Sequence, residues 1–273
     1  MKKDKFNKNC EDLKNKKVFL FDMDGTVYEE DRLFDGSLQL FETIKKRNGK
    51  YIFITNNSSK SINEYIDKMK RLNIKVCKDN FYTSTQATIN YIKNSFGNEL
   101  IYCMGTKSLV NEFRNAGVNV TTDVNIDAKA VIVGFDTELT YDKIKKTSIM
   151  LKKDIPFIAT NPDLRCPSKN GFIPDCGAIC KLLECTVDRK PIYIGKPQSS
   201  MIEQIKNFVN CRYEEMVVIG DRLYTDIAIG INAGIDTICV LTGEATIEEI
   251  KQSSIKPTYV FDSIKEIYKV LIE

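Results

Sequence analysis

Histidine is missing from all 273 residues of this chain. That absence excludes a Ser-His-Asp triad, a Cys-His dyad, a histidine nucleophile and every histidine-ligated metal centre. Any chemistry has to run on carboxylates, hydroxyls, lysine and an oxygen-seeking ion. Long apolar runs are missing too. No stretch approaches the roughly 18 consecutive apolar residues of a membrane helix, and the polar N-terminus lacks the apolar region of a signal peptide. No membrane partner is therefore expected. Forty Lys and Arg against 37 Asp and Glu leave a net charge of only +3, with the signs interleaved. That argues against nucleic acid, which calls for a basic face, and the Lys-rich start (Lys2, Lys3, Lys5, Lys8) reads as a solvated terminus. The nine cysteines form no even framework and no Cys-x-x-Cys pair. Cys176, Cys180 and Cys185 fall short of the four ligands a zinc site wants. Unpaired thiols place the chain in a reducing cytoplasm.

What is present is an alternation of strand-like and helix-like runs, which predicts an α/β architecture with a mostly parallel sheet. Val18–Phe21 precedes a helical stretch in which Leu38, Phe41 and Ile44 recur, and Tyr51–Ile54 follows. Ser61-x-x-Glu64 reads as a capping box, opening a helix with Ile62, Ile66 and Met69 on one face. Leu100–Cys103, Ala130–Val133 and Ile155–Ala159 alternate with helical stretches near 109–116 and 141–152. Pro191–Ile194 then leads to a helix opening at Ser200-x-x-Glu203, the strand Met216–Ile219, a helix from about 226, and strands at Thr237–Val240 and near Thr258–Phe261. Polar motifs cluster at the ends of three core strands, whereas the middle of the chain has few. The expected organisation is a core in two parts, 1–85 and 191–273, with an inserted domain over 86–190.

Four features converge on one chemistry. Asp22 and Asp24 end an apolar strand at i and i+2, so both can face one pocket, and Gly25 lets the backbone approach an anion. Thr55-Asn56-Asn57-Ser58 offers hydroxyl and amide donors after another strand. Gly195-Lys196-Pro197 supplies a single cation, without the upstream glycine or following Ser/Thr of a nucleotide-binding P-loop. Gly220-Asp221 through Thr225-Asp226 adds two carboxylates at a strand end and helix start. In an open parallel sheet that edge is where ligands bind. Taken singly, each motif also reads as an ordinary turn or helix cap.

In this order the four motifs resemble the haloacid-dehalogenase-like hydrolase superfamily, and within it the phosphatases related to NagD and p-nitrophenylphosphatase. The likeness covers nearly the whole chain. It implies a Rossmann-like, doubly wound parallel-sheet core with an inserted α/β cap, and Ala159-Thr160-Asn161-Pro162-Asp163 resembles a cap sequence of that branch. Carried over residue by residue, it implies that Asp22 is the nucleophile and forms an aspartyl-phosphate. Asp24 is then the acid and later the base, Thr55 holds phosphoryl oxygens, with Asn56 in support, and Lys196 neutralises charge. Mg²⁺ is implied at Asp22, Asp221 and the main-chain carbonyl of Asp24, with Asp226 supporting the metal's waters or orienting Lys196. In the cap, Asn161, Asp163 and Arg165 are the implied substrate contacts, and pairing of two copies through the cap is implied as well.

Physical chemistry agrees with these roles. A phosphate monoester dianion repels a carboxylate nucleophile, so a metal and a cation must offset charge before Asp22 can approach. The acid must instead be protonated first, so Asp24's side chain should avoid the metal. Relatives that cleave carbon–halogen or carbon–phosphorus bonds lack an acid two residues after the nucleophile, so Asp24 favours phosphate esters. The reading is thus a phosphatase of a small phosphorylated metabolite, with phosphoglycolate, pyridoxal phosphate, sugar phosphates and nucleoside monophosphates all open. A phosphotransferase or phosphomutase passes the same phosphoryl group to another acceptor. A receiver-type phospho-Asp binder is much shorter and carries no inserted domain.

Overall fold

The computed structural model describes residues 2–168 and 170–272. The chain divides into two compact units, Met1–Ile54 with Ile66–Tyr82 and Lys196–Glu273, and Thr55–Tyr65 with Thr83–Gly195. The first is built on a six-stranded sheet in the order Tyr259–Phe261, Asp236–Val240, Met216–Gly220, Val18–Phe21, Lys50–Thr55, Phe81–Thr83. The two central pairings are parallel and in step: Phe21 lies opposite both Ile219 and Phe53. The residues that follow, Asp22, Gly220 and Ile54, therefore stand at one level. These strands are buried along nearly their whole length, which is why they read as unbroken apolar runs rather than alternating ones.

Aromatic rings lock this sheet to its helices. Phe41 of the helix Ser37–Lys46 meets Phe21 edge-on at 5.3 Å and Phe53 at 5.5 Å, and Phe53 meets Phe81 at 5.4 Å. The helix buries Ser37, Leu40, Phe41 and Ile44. Leu38, expected on that face, is 37% exposed instead. Gly36, at φ +87°, sets the start of the helix, and Ser37 donates its hydroxyl to the carbonyls of Val27 and Phe34. With Ser37 turned inward, the helical period places Leu38 roughly 100° away from the buried face.

The second unit carries a five-stranded sheet in the order Ile192–Tyr193, Phe157–Ala159, Ala130–Val133, Ile101–Met104, Val120–Thr121, all pairings parallel. Ile192–Tyr193, which by sequence resumes the core pattern, is the edge strand here. Its core packs Tyr102, Val131, Val133 and Phe157 with Ile179, Cys180 and Leu183 of the helix Cys176–Val187. An antiparallel hairpin pairs Arg165–Ser168 with Gly171–Pro174. The Ser61/Glu64 capping box forms: Glu64 accepts from the Ser61 amide at 2.7 Å, and Ser61 Oγ from the Glu64 amide at 3.4 Å. The helix expected to open at Ser200 runs over Ser200–Val209, with Ser199 at its N-cap making no side-chain bond. Among the described residues no helix is long and apolar enough to cross a membrane.

Phe53 touches rings on both sides and is fully buried. Phe53→Ala should therefore destabilise the first unit by about 3–5 kcal/mol, read as a lower urea midpoint by far-UV circular dichroism.

Candidate active site

Three neighbouring strand ends of the first unit bring their polar residues together. Lys196 is buried, and its Nζ donates to Asp22 Oδ1 at 2.6 Å, to Asp226 Oδ1 at 2.6 Å and to the carbonyl of Ile54 at 3.4 Å. Asp226 reaches the lysine because the chain after Gly220-Asp221 makes a five-residue π-turn, Leu223–Ile227, before the α-helix Ala228–Ala233. The Ile227 amide donates back to the Arg222 carbonyl across that wide turn, at 3.1 Å. The sequence predicts an ordinary helix from about 226. Wide turns of this kind are frequent at functional sites.

Asp221 is fixed from two sides. Thr26 donates its hydroxyl to Oδ1 at 3.2 Å, and the Glu244 amide donates to Oδ2 at 2.9 Å. Glycine lines its surroundings. A Cβ on Gly25, which sits at φ +83°, would fall 2.7 Å from Asp221 Oδ2, and one on Gly243 would fall 2.0 Å from it. The Thr242 hydroxyl, donating to the Gly25 carbonyl at 2.6 Å, holds these two glycine turns together. Thr26, Thr242, Gly243 and Glu244 are site residues that the sequence reading leaves out. Thr26 lies inside the first motif and was open to recognition, whereas residues 242–244 carry no pattern that links them to Asp221.

Asp24 stands apart from that cluster. Its side chain is 54% exposed, and Lys68 Nζ lies 3.6 Å from Oδ1 while sitting 3.8 Å over the Tyr28 ring. Lys68 is a further residue the sequence did not single out, since a lysine on an amphipathic helix looks like any solvated one. Thr55, the last residue of its strand, is buried and accepts the Asn57 amide at 3.1 Å. It belongs with Asn56 to the second unit, where Asn56 is buried against Asn161 and Asp163. Arg165 is exposed on the hairpin and stacks on Phe172 at 4.4 Å.

The first-unit cluster is short of positive charge. One oxygen from each of Asp22, Asp221 and Asp226 lies within 4.8 Å of the other two, and Lys196 and Arg222 are the cations set against them. Were all three carboxylates ionised, three negative charges would stand against two positive, one in excess. Burial, then the neighbouring Asp226, pushes the Asp22 carboxyl up to about 8, with Lys196 pulling the other way. Burial and Asp226 likewise raise Asp221 to about 6. Burial disfavours the charge on Lys196 and Arg222, but the carboxylates overcome it and hold both well above their ordinary values. An all-oxygen donor set with unmatched negative charge, in a glycine-lined cradle, fits a hard divalent cation such as Mg²⁺.

Two family models match the chain, one described as haloacid dehalogenase-like hydrolase over residues 19–119 and one as HAD-hydrolase-like over residues 193–267. An acid sugar phosphatase of Staphylococcus haemolyticus is 34% identical, covering 92% of this chain and 95% of its own length. The solved 4-nitrophenylphosphatase of Thermotoga maritima is 39% identical with a TM-score of 0.91, over 95% of this chain and 99% of that one. NagD of E. coli K-12 is 29% identical with a TM-score of 0.84, over 92% and 98%.

The excess charge has a consequence for stability. In metal-free protein Asp22 keeps its proton at pH values where an unfolded carboxyl, near 3.8, has lost it. Folding then binds a proton, and stability falls as pH rises from about 4 to about 8. Asp22→Asn should flatten that fall by up to about 1.4 kcal/mol per pH unit. In thermal melts with chelator the variant gains on the parent at pH 8, and the gain shrinks towards pH 4.

Proposed function

The chain belongs to the haloacid-dehalogenase-like hydrolases, in the branch of NagD and the 4-nitrophenylphosphatases, and is a phosphatase; from that premise we propose that it hydrolyses a small phosphate monoester with Mg²⁺, through a phosphorylated Asp22. The observation that carries this reading is the bridging lysine, 2.6 Å from both Asp22 and Asp226 with Asp221 alongside. Asp22, Asp221 and the Asp24 main-chain carbonyl would hold Mg²⁺, which when bound supplies charge to offset the nucleophile and the phosphoryl dianion.

In the first step an Asp22 carboxylate oxygen attacks phosphorus and the ester P–O bond breaks. Asp24, as the carboxylic acid, gives its proton to the leaving oxygen. Its half-exposed position beside Lys68, outside the carboxylate cluster, suits a group that must exchange protons with substrate and water. In the second step Asp24, now a carboxylate, takes a proton from water whose oxygen attacks the same phosphorus. The bond to Asp22 breaks, inorganic phosphate leaves and the enzyme returns to its starting state. Lys196 holds Asp22 in place by its hydrogen bond and keeps its positive charge throughout, while Asp226 anchors the lysine from the other side. Thr55 holds phosphoryl oxygens.

A sugar phosphate is the first ester class to test, on the name of the acid sugar phosphatase relatives, with Arg165 as the candidate contact for a second anion. A cytoplasmic location is proposed on the nine unpaired cysteines. Pairing of two copies through the second unit is proposed on the exposed Leu164, Phe172 and Ile173 of its hairpin region.

With saturating Mg²⁺, the protein should turn over p-nitrophenyl phosphate and sugar phosphates, and chelator should abolish turnover. Asp22→Asn should lose at least about 10³-fold in kcat; undiminished turnover in that variant would sink the nucleophile assignment. Asp24→Asn should slow sugar phosphates by about 10²–10⁴-fold and p-nitrophenyl phosphate less, since nitrophenolate leaves without a proton. Labelled water should appear in the released phosphate if water is the acceptor.

A further inference from the structure

Asn161 and Asp163 resemble cap residues that reach for substrate, yet in the second unit both side chains are turned inward and buried. Their common target is Asn56. The Asn161 Nδ2 donates to the Asn56 carbonyl at 2.7 Å, and the Ser84 hydroxyl donates to the same oxygen at 2.8 Å. The Asn56 Nδ2 donates to both carboxylate oxygens of Asp163 at 3.2 Å. Asp163 is held in turn, its amide donating to Asn161 Oδ1 at 2.9 Å and its carbonyl accepting the Gly177 amide at 2.8 Å. Gly195 closes the box: its amide donates to the Thr160 carbonyl at 2.9 Å, and a Cβ there would fall 2.5 Å from Asn56 Oδ1.

Asn56 follows Thr55 in the chain, and Gly195 precedes Lys196. One buried polar cluster thus fixes the chain neighbour of Thr55, the group assigned to the phosphoryl oxygens. We propose that Asp163 and Asn161 are positioning residues: acting through Asn56, they set where its chain neighbour Thr55 holds the phosphoryl group, whatever ester carries it. This rests on the phosphatase reading above. A satisfied buried network is rigid, and losing one member leaves its partner unpaired and free to shift. A shift of about 1 Å at a reacting group can cost about 10²-fold.

The test compares Asp163→Ala and Asp163→Asn with the parent, all with saturating Mg²⁺. The measurements are kcat/KM for p-nitrophenyl phosphate, a sugar phosphate and acetyl phosphate, and the competitive Ki of inorganic phosphate. Asp163→Ala should lower kcat/KM by about 10- to 100-fold, by one common factor across the three substrates, and should raise the phosphate Ki. Asp163→Asn keeps an acceptor for Asn56 and should recover most of both losses. A merely destabilising change leaves the phosphate Ki of the folded enzyme unmoved. Should Asp163→Ala fail to fold, Asn161→Asp removes the donor to the Asn56 carbonyl and carries the same expectation. Losses that differ more than about tenfold among the substrates with the phosphate Ki unchanged would make Asp163 a substrate contact and overturn the proposal, as would no change at all. Failure of the phosphatase reading is visible separately, as a parent protein that releases no phosphate.

Discussion

The bridging of the half-buried Asp22 and the buried Asp226 by the Lys196 ammonium is the interaction on which the candidate site depends. Asp22 and Asp226 flank that lysine at 2.6 Å on either side, and neither Asp22 nor Asp221 would be comfortable ionised without a counter-charge. A buried cation shared by two anions costs desolvation on all three groups, and is retained only where the geometry is good and the remaining atoms are bonded. Here they are. Asp226 also takes the Arg222 amide, and Asp221 takes the Thr26 hydroxyl and the Glu244 amide. Were all three carboxylates ionised, they would exceed the two nearby cations by one charge, and such a donor set fits a hard divalent cation.

The sheet makes that arrangement possible. Because Phe21, Ile219 and Phe53 stand in register, three adjacent strands end within a residue or two of one level, and the carboxylates and lysine meet near those ends. Close approach then depends on small residues. Gly25, Gly220 and Gly243 stand where any Cβ would collide with Asp221 or Asp226, so the acidic groups are crowded against one another by backbone. Their repulsion is a standing cost, and the aromatic packing of Phe21, Phe41 and Phe53 beneath the site helps to offset it.

Much of this is legible in the sequence for a simple reason. An Asp that ends an apolar strand interrupts a strong pattern, so Asp22, Asp221 and the strands that carry them stand out without coordinates. Lys196 stands out as the cation between them. Features that depend on distant pairing do not. Glu244 is bonded to Asp221 through its backbone amide, which no side-chain pattern reports. Ile192–Tyr193 looks like any short strand, and only its pairing with Ile158 and Ala159 assigns it to the second sheet. The π-turn at Leu223–Ile227 differs from an α-helix by one residue per turn, below the resolution of a periodicity over five positions.

Asn161-Pro162-Asp163 shows the opposite hazard, a segment read by resemblance as reaching for substrate whose two polar side chains are buried. Polar side chains enter an interior only when their bonds are met there, and these meet theirs on Asn56. Groups bonded in this way to the protein have little capacity left to discriminate a substrate. Among the residues that remain exposed in this region are Leu164, Arg165, Phe172 and Ile173. A stacked arginine beside apolar side chains can read charge and shape in the organic half of an ester.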